Sequence, residues 1–119
     1  MTDFALVVNR ADEEANVVVS GELDMYTAPR LRQELVGLVA GGARQVTVDL
    51  GAVNFVDSTA LGVLVGGLKR LRQVDGDLTI KSPTPGTLKV LELTGLTKIF
   101  TVTSNHNGAT PPPEPNSPS

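Results

Sequence analysis

Two kinds of apolar pattern alternate along this chain. Short runs rich in β-branched residues, at 4–8 and 17–20, flank a polar stretch and predict an antiparallel hairpin. Longer segments with apolar residues three or four apart predict helices over 27–40, 58–72 and 84–93. Short apolar runs predict further strands at 46–50, at 78–80 and near 99–102. A hairpin followed by repeated strand–helix units predicts an α/β fold, with a mixed β-sheet packed against α-helices.

The composition changes sharply at Ser104. From there the sequence reads SNHNGATPPPEPNSPS, which contains five of the eight prolines and almost no apolar side chains. Such a segment cannot bury enough apolar surface to offset the entropy lost on ordering. We therefore expect one domain over residues 1–103 and a disordered, proline-rich tail over residues 104–119.

Charge and composition exclude several classes of function. Ten basic against thirteen acidic residues give a net charge of −3, which does not suit nucleic-acid phosphates or an anionic membrane surface. The chain has no cysteine for a disulfide, a metal site or a nucleophile, and His106 is its one histidine. Its first residues lack the basic start and long apolar run of a signal peptide. We expect a cytoplasmic protein whose partners include neither nucleic acid nor membrane.

The most informative segment is NFVDSTALGVLVGGLKRLR, residues 54–72. Asp57 and Ser58 stand where a loop enters a helix, and both residue types are good N-caps. One of the two side chains is therefore expected to accept hydrogen bonds from free backbone N–H groups. A hydroxyl at this place could also carry a phosphate, because the first-turn N–H groups and the helix dipole favour negative charge.

Three glycines, Gly62, Gly66 and Gly67, lie inside the same predicted helix. Each destabilises a helix interior by about 1 kcal/mol relative to alanine, so a compensating reason is expected. Ser58, Gly62 and Gly66 follow one another at four-residue spacing and form one stripe without side-chain bulk. Two interpretations are open: the stripe packs tightly on the protein's own sheet, or it is a flat docking strip with Ser58 at its end.

A second cluster, GELDMYTAP at residues 21–29, ends a strand and opens a helix. Sites in open α/β sheets gather where strand ends feed into helices, so Asp24 and Thr27 are expected on the same rim as Asp57. Two acids suit a metal or a general acid–base pair, but turn and capping roles explain them as well. The chain has no GxxxxGK[S/T], GxGxxG or GxSxG motif, so neither a phosphate-binding loop nor a nucleophilic serine is indicated.

Three segments together resemble a known family: GELDMYTAPRL at 21–31, VDLGAVNFVDSTALGVLVGGLKR at 48–70 and LTGLTKIF at 93–100. The resemblance is to the anti-sigma factor antagonists, which are small STAS-domain proteins of bacterial partner-switching systems. The sporulation and general-stress proteins of Bacillus are of this type. Within the family, this sequence resembles the actinobacterial developmental members most. The resemblance covers residues 4–102 and implies the STAS fold.

The resemblance also implies a mechanism. In this family the unphosphorylated protein binds an anti-sigma factor, which is also a Ser/Thr kinase of the GHKL type, and so releases a sigma factor. The kinase phosphorylates a serine at the start of the second helix, which ends the binding, and a PP2C-type phosphatase resets the switch. The matching position here is Ser58, between Asp57 and Thr59. ATP and Mg²⁺ belong to the kinase, so no cofactor is expected in this chain, and the protein is not expected to be an enzyme.

The stripe, the loop acids and the resemblance together define one set of expected partner-binding residues: Asp24, Thr27, Asp57, Ser58, Thr59, Gly62 and Gly66. The chain departs from the family pattern at Ala60, where many members have glycine. The family usually ends with another helix, whereas the residues from Thr103 onward are expected to be disordered here, which would leave one flank of the sheet less covered.

Two other functions stay open at this point. The chain could be a STAS accessory or scaffold domain of a transport or lipid-trafficking system, although the Asp57–Ser58 pair at the helix start favours a switch. It could also be an enzyme that uses Asp24 and Asp57, which a metal-dependent activity would reveal.

Overall fold

The computed structural model describes residues 3–104, and these form an opening hairpin followed by alternating helices and strands. The elements in chain order are β1 (Ala5–Ala11), β2 (Glu14–Leu23), α1 (Ala28–Ala40), β3 (Gln45–Val56), α2 (Ser58–Arg72), β4 (Asp77–Lys81), α3 (Pro85–Leu93) and β5 (Thr101–Thr103). A short 3-10 turn, Leu96–Lys98, lies between α3 and β5.

The strands form one sheet whose spatial order, β1-β2-β3-β4-β5, is also their order in the chain. β1 pairs antiparallel with β2, and every later pair is parallel. A helix lies in each connection between parallel neighbours, because such strands need a long crossover to return the chain to the same end of the sheet. The predicted α/β fold with a mixed sheet is confirmed.

The hydrophobic core lies between one face of the sheet and the helices. Every second residue is buried in β2, in β4 and in the first half of β3, up to Leu50, whereas the residues between them are half-buried or exposed. Leucines of α1 and α2 complete the same cluster, which includes Val17, Val19, Val46, Val48, Leu78, Ile80, Leu31, Leu35, Leu64, Leu68 and Leu71. Aliphatic side chains therefore build this core, as the shortage of aromatic residues in the sequence requires.

The polar stretch between the two predicted hairpin strands is itself mostly strand. β1 continues to Ala11 and β2 begins at Glu14, so the turn consists of Asp12 and Glu13, with Asp12 at a φ of 57°. The two predicted strands are too short at this end because the prediction follows runs of apolar residues, which stop before the turn. Residues 9–14 are exposed, so polar side chains are compatible with strand pairing at this end of the hairpin.

The predicted strand over 46–50 is also too short, because β3 continues to Val56. Its second half, GAVNFV, pairs with the end of β2, and the pairing shifts register twice on the way. Gly51 and Asn54 interrupt the apolar pattern, which hides this extension in the sequence. The extension matters for function, because it brings the start of α2 to the end of β2.

The remaining bounds differ little from the predictions. α2 begins and ends where the sequence predicts, whereas α1 and α3 begin one residue later because Thr27 and Thr84 are their N-caps. The last strand is Thr101–Thr103 and not 99–102, since Ile99 ends the 3-10 turn and Phe100 turns into the core.

Apart from Ser104, the predicted tail over residues 104–119 lies outside the described residues. Across residues 3–104, no helix combines the length and the apolar character needed to cross a membrane.

Candidate functional site

The ends of β2 and β3 bring two loops together. Leu23, the last residue of β2, is the register partner of Val56, the last residue of β3. One residue further on, the backbone N–H of Asp57 donates to the carbonyl oxygen of Leu23 at 3.2 Å. The loop that carries Asp24 and the start of α2 are thus adjacent, as the sequence predicts for two parallel strands that end at one edge.

Asp57 is the N-cap of α2. It has extended backbone geometry, and its carboxylate accepts a hydrogen bond from the N–H of Ala60 at 3.0 Å. The capping role is therefore filled without Ser58, the first residue of the helix. Ser58 and Thr59 are exposed, and the hydroxyl of Ser58 makes no hydrogen bond within residues 3–104. A free hydroxyl consequently stands at the positive end of the helix dipole.

Asp24 and Thr27 lock the loop between β2 and α1. The Asp24 carboxylate accepts from the N–H of Tyr26 at 2.9 Å and from the N–H of Thr27 at 3.1 Å. The Thr27 hydroxyl accepts from the N–H of Asp24 at 2.9 Å and donates to the carbonyl oxygen of Glu22 at 2.8 Å. These bonds give the loop a fixed shape beside Ser58, with the negative charge of Asp24 held in place.

The acids fill the turn and capping roles that the sequence allowed. Both carboxylates are held by local hydrogen bonds, Asp57 at the start of α2 and Asp24 inside its own loop. Among the described residues, no group of three or more His, Cys, Asp and Glu side chains could hold a metal ion.

The three glycines of α2 have two different environments. A Cβ atom added at Gly62 or Gly66 would meet no atom within 4 Å, so both positions face open space. A Cβ atom at Gly67 would lie 2.9 Å from Cδ1 of Leu35 and 3.3 Å from Cδ1 of Leu78. Of the two interpretations of the stripe, tight packing on the protein's own sheet is wrong for Gly62 and Gly66, whereas Gly67, which lies outside the stripe, is packed in this way.

The open glycines line a groove between α1 and α2, with a volume of about 390 Å³. We call it the α1–α2 groove, and its lining residues are Arg32, Leu35, Val36, Thr59, Gly62, Val63, Gly66, Gly67 and Arg70. Thr59, Gly62 and Gly66 are among the predicted partner-binding residues, and Ser58 precedes Thr59 at one end. The two arginines were not predicted as site residues, because the sequence does not show which helix faces meet.

Three large apolar side chains near this edge were also missed. Tyr26 is 82% exposed, Met25 is 58% exposed, and Phe55, near the end of β3, is 49% exposed. One signal was available in the sequence: Met25 and Tyr26 are two consecutive large apolar residues in a loop, where polar residues usually stand. Phe55 lines a separate pocket next to α3, whereas Met25 and Tyr26 together expose apolar surface of the kind that is typical of protein-binding regions.

Comparison with known protein families gives a match over residues 6–103 to a family described as Mlab, STAS domain. The chain belongs to the STAS-domain family. The resemblance noted in the sequence is confirmed at this level, whereas the narrower assignment to actinobacterial developmental members stays a prediction.

Two curated relatives of this STAS protein are anti-sigma-B factor antagonists. The one from Staphylococcus aureus (strain NCTC 8325 / PS 47) is 40% identical over 91 residues, which cover 76% of this chain and 84% of that protein. The one from Bacillus subtilis (strain 168) is 33% identical over 101 residues, which cover 85% of this chain and 92% of that protein.

Solved structures show the same fold. An anti-sigma factor antagonist from Mycobacterium paratuberculosis is similar with a TM-score of 0.77 and 33% identity, over 85% of this chain and 86% of that one. SpoIIAA, another anti-sigma factor antagonist, has been solved in an unphosphorylated form and in a phosphorylated form. The unphosphorylated form has a TM-score of 0.75 and 21% identity, over 82% of this chain and 87% of that one. The phosphorylated form has a TM-score of 0.68 and 22% identity, over 82% of this chain and 90% of that one.

Proposed function

We propose that this STAS protein is an anti-sigma factor antagonist that works by partner switching, with Ser58 as the switch. Its unphosphorylated form binds an anti-sigma factor and thereby releases a sigma factor, and phosphorylation of Ser58 ends the binding. The observation that carries the proposal is the exposed, unbonded hydroxyl of Ser58 at the start of α2 and at one end of the α1–α2 groove. Relatives at 33% and 40% identity, named as anti-sigma-B factor antagonists, support the class of partner.

The binding surface that we propose joins the predicted residues to those found nearby. Gly62 and Gly66 leave the α2 side of the groove free of side chains at two positions, so a partner backbone can approach α2 closely. Thr59 lines the groove, while Asp24, Thr27 and Asp57 form the fixed polar rim next to Ser58. Tyr26 adds exposed aromatic surface, and aromatic side chains dominate the energetics of many protein interfaces.

Phosphorylation would change this surface without unfolding the domain. A phosphate on Ser58 adds a charge of about −1.5 to −2 at neutral pH. The first-turn N–H groups and the helix dipole favour that charge, so α2 is expected to stay intact. A partner that fits a neutral hydroxyl beside Asp57 would instead meet a bulky group in a region that is already negative. The switch therefore acts through local charge and shape.

The other components follow from the family mechanism. The anti-sigma factor would be a GHKL-type Ser/Thr kinase that supplies ATP and Mg²⁺, and a PP2C-type phosphatase would remove the phosphate. This chain would then need no cofactor and no catalytic residue of its own, and the exchange would take place in the cytoplasm, where sigma factors bind RNA polymerase.

The test uses three single variants of the full chain, with the kinase-type anti-sigma factor of the same organism. Ser58→Ala should bind that protein permanently and take up no phosphate from ATP. Ser58→Glu should bind roughly a hundredfold more weakly, which corresponds to about 3 kcal/mol. Thr59→Val is the matched control for phosphorylation, because it removes the neighbouring hydroxyl and should leave the uptake of one phosphate intact.

Mass spectrometry locates the phosphate, and calorimetric titration gives the affinities. Phosphate uptake by Ser58→Ala at the wild-type level would contradict the assignment of Ser58. Equal affinities of the phosphorylated and unphosphorylated wild-type chains would contradict the switch itself.

A further inference from the structure

The six arginines of the chain divide into two groups. Four of them contact other parts of the protein. Arg10, Arg44 and Arg72 donate to backbone carbonyl oxygens at 2.6, 2.9 and 2.8 Å, and Arg30 lies over the ring of Phe4, 5.0 Å from its centroid. Within residues 3–104, the other two, Arg32 and Arg70, have neither a hydrogen bond nor an ion pair.

These two arginines line the same groove. Arg32 belongs to α1 and Arg70 to α2, and both are exposed residues of the α1–α2 groove. The nine lining residues include no Asp or Glu, so nothing in the groove wall neutralises the two guanidinium groups. A guanidinium carries five N–H donors in a geometry that matches a carboxylate. The groove thus offers unpaired donors together with the open positions Gly62 and Gly66.

We propose that the α1–α2 groove receives an acidic segment of the protein partner, whose carboxylates pair with Arg32 and Arg70. This inference rests on the proposed function, because it assigns a chemistry to the partner that docks next to Ser58. The apolar wall from Leu35, Val36 and Val63 favours a protein segment with both acidic and apolar side chains over a small free anion. The chain also lacks a glycine-rich loop for cradling a phosphate.

The charges along α2 also give the docked segment a direction. Asp24 and Asp57 are negative at the Ser58 end, whereas Arg70 lies eleven residues beyond Thr59, about 16 Å further along the helix axis. A complementary partner is basic beside Asp24 and Asp57 and acidic where it meets Arg32 and Arg70. Such a pattern fixes orientation and speeds association more than it adds affinity. Phosphorylation strengthens the negative end and leaves the basic part of the groove unchanged.

The first experiment reverses the charges one at a time, in Arg32→Glu and Arg70→Glu. Each variant should bind the anti-sigma factor about tenfold more weakly at low salt, since like charges would then face each other. The loss should shrink as salt is added, because salt screens exposed charges. Lys89→Glu on α3 is the control, because it makes the same charge change at an exposed position outside the groove. Equal affinities of Arg32→Glu, Arg70→Glu and Lys89→Glu would overturn the inference.

A second measurement does not depend on the anti-sigma factor. A synthetic peptide with glutamate and leucine at helical spacing is titrated into the wild-type chain, and the side-chain Nε signals of the arginines are followed by NMR. The signals of Arg32 and Arg70 should shift while that of Arg44 stays fixed, and a peptide with glutamine in place of glutamate should have no effect. If the anti-sigma factor does not bind but these signals shift, the proposed function fails and the acidic-segment inference stands.

The remaining occupant to test is a second copy of this chain, whose exposed hairpin end carries the acidic residues Asp12, Glu13 and Glu14. Sedimentation velocity of the chain alone should give a monomer for the wild type and for Arg32→Glu. A wild-type dimer that Arg32→Glu dissociates would assign the groove to self-association and overturn the proposal.

Discussion

Gly66 and Gly67 are consecutive residues of one helix, yet they are glycines for opposite reasons. Gly67 lies against Leu35 and Leu78, where a side chain would collide with the core. Gly66 faces the open α1–α2 groove, where a side chain would collide with nothing in the described part of the chain. Packing within the domain therefore explains why residue 67 is glycine, but it does not explain why residue 66 is glycine.

The comparison extends to the two faces of α2. The inner face is formed by Leu64, Leu68 and Leu71, which are almost fully buried, and Gly67 fits between them and the neighbouring elements. The outer stripe of Ser58, Gly62 and Gly66 is free of bulk. Glycine weakens a helix, so the outer glycines must be explained by something outside the domain. A partner that approaches the helix backbone closely is such a reason.

The largest effect is expected for Gly67→Leu. Four additional carbon atoms at this site would overlap Leu35 and Leu78, and overpacking of this kind lowers the free energy of unfolding by about 3 kcal/mol. Thermal and urea unfolding followed by circular dichroism measure the change. A Gly67→Leu variant as stable as the wild type would mean that Gly67 does not touch the core.

The adjacent substitution, Gly66→Leu, should affect binding and not stability. Leucine is a better helix former than glycine and has free space here, so the unfolding midpoint should stay the same or rise. In the groove, however, the side chain would keep the partner backbone away. Affinity for the anti-sigma factor should fall by about a hundredfold, or close to 3 kcal/mol, and Gly62→Leu should behave alike. Normal binding by both leucine variants would show that the partner avoids the groove.

A smaller effect is expected at the N-terminal end of α2, where Asp57 is the N-cap. Asp57→Ala removes the hydrogen bond to the N–H of Ala60 and should lower the free energy of unfolding by about 1 kcal/mol. Asp57→Asn keeps a good capping group without the negative charge, so it should retain nearly all of the stability. Urea titration of the two variants separates capping from charge. Equal destabilisation of both would assign the effect to the charge.

The smallest effect is expected for a chain that ends at Ser104. The sequence predicts that the residues beyond it have no apolar anchors, so the thermal midpoint should change by no more than a few degrees. Differential scanning calorimetry of the full and shortened chains provides the comparison. A loss of about 2 kcal/mol or more, the size of a buried side-chain effect, would show that the tail packs on the domain.

The start of the candidate site was predictable from local chemistry. Asp57 and Ser58 indicate a helix start in any fold. The spacing of the leucines that follow predicts α2 correctly as far as its last residue. The proximity of Asp24 and Asp57 was also predictable, because parallel neighbouring strands end at the same edge of a sheet. The helix start needs no information about tertiary contacts, and the proximity of the two acids needs only the pairing of β2 with β3.

The groove was not predictable, because it depends on how two helices lie against each other. Gly66 and Gly67 differ by one position, and only the packing of α1 on α2 decides which of them meets Leu35. The same packing brings Arg32 of α1 and Arg70 of α2 to the lining of one groove. Sequence patterns also failed for the second half of β3, where Gly51 and Asn54 fall at the two register shifts and the strand continues because the residues around them pair with β2.

The strand order of the sheet has a consequence for synthesis on the ribosome. Because β1-β2-β3-β4-β5 is also the order of the chain, each strand that emerges finds its partner already made, and the sheet grows from one edge without waiting for a distant segment. Pairing between sequence neighbours keeps the loops to be closed short, which favours rapid folding. The last addition is β5, of three residues, and so short an edge offers little template for strands of other nascent chains.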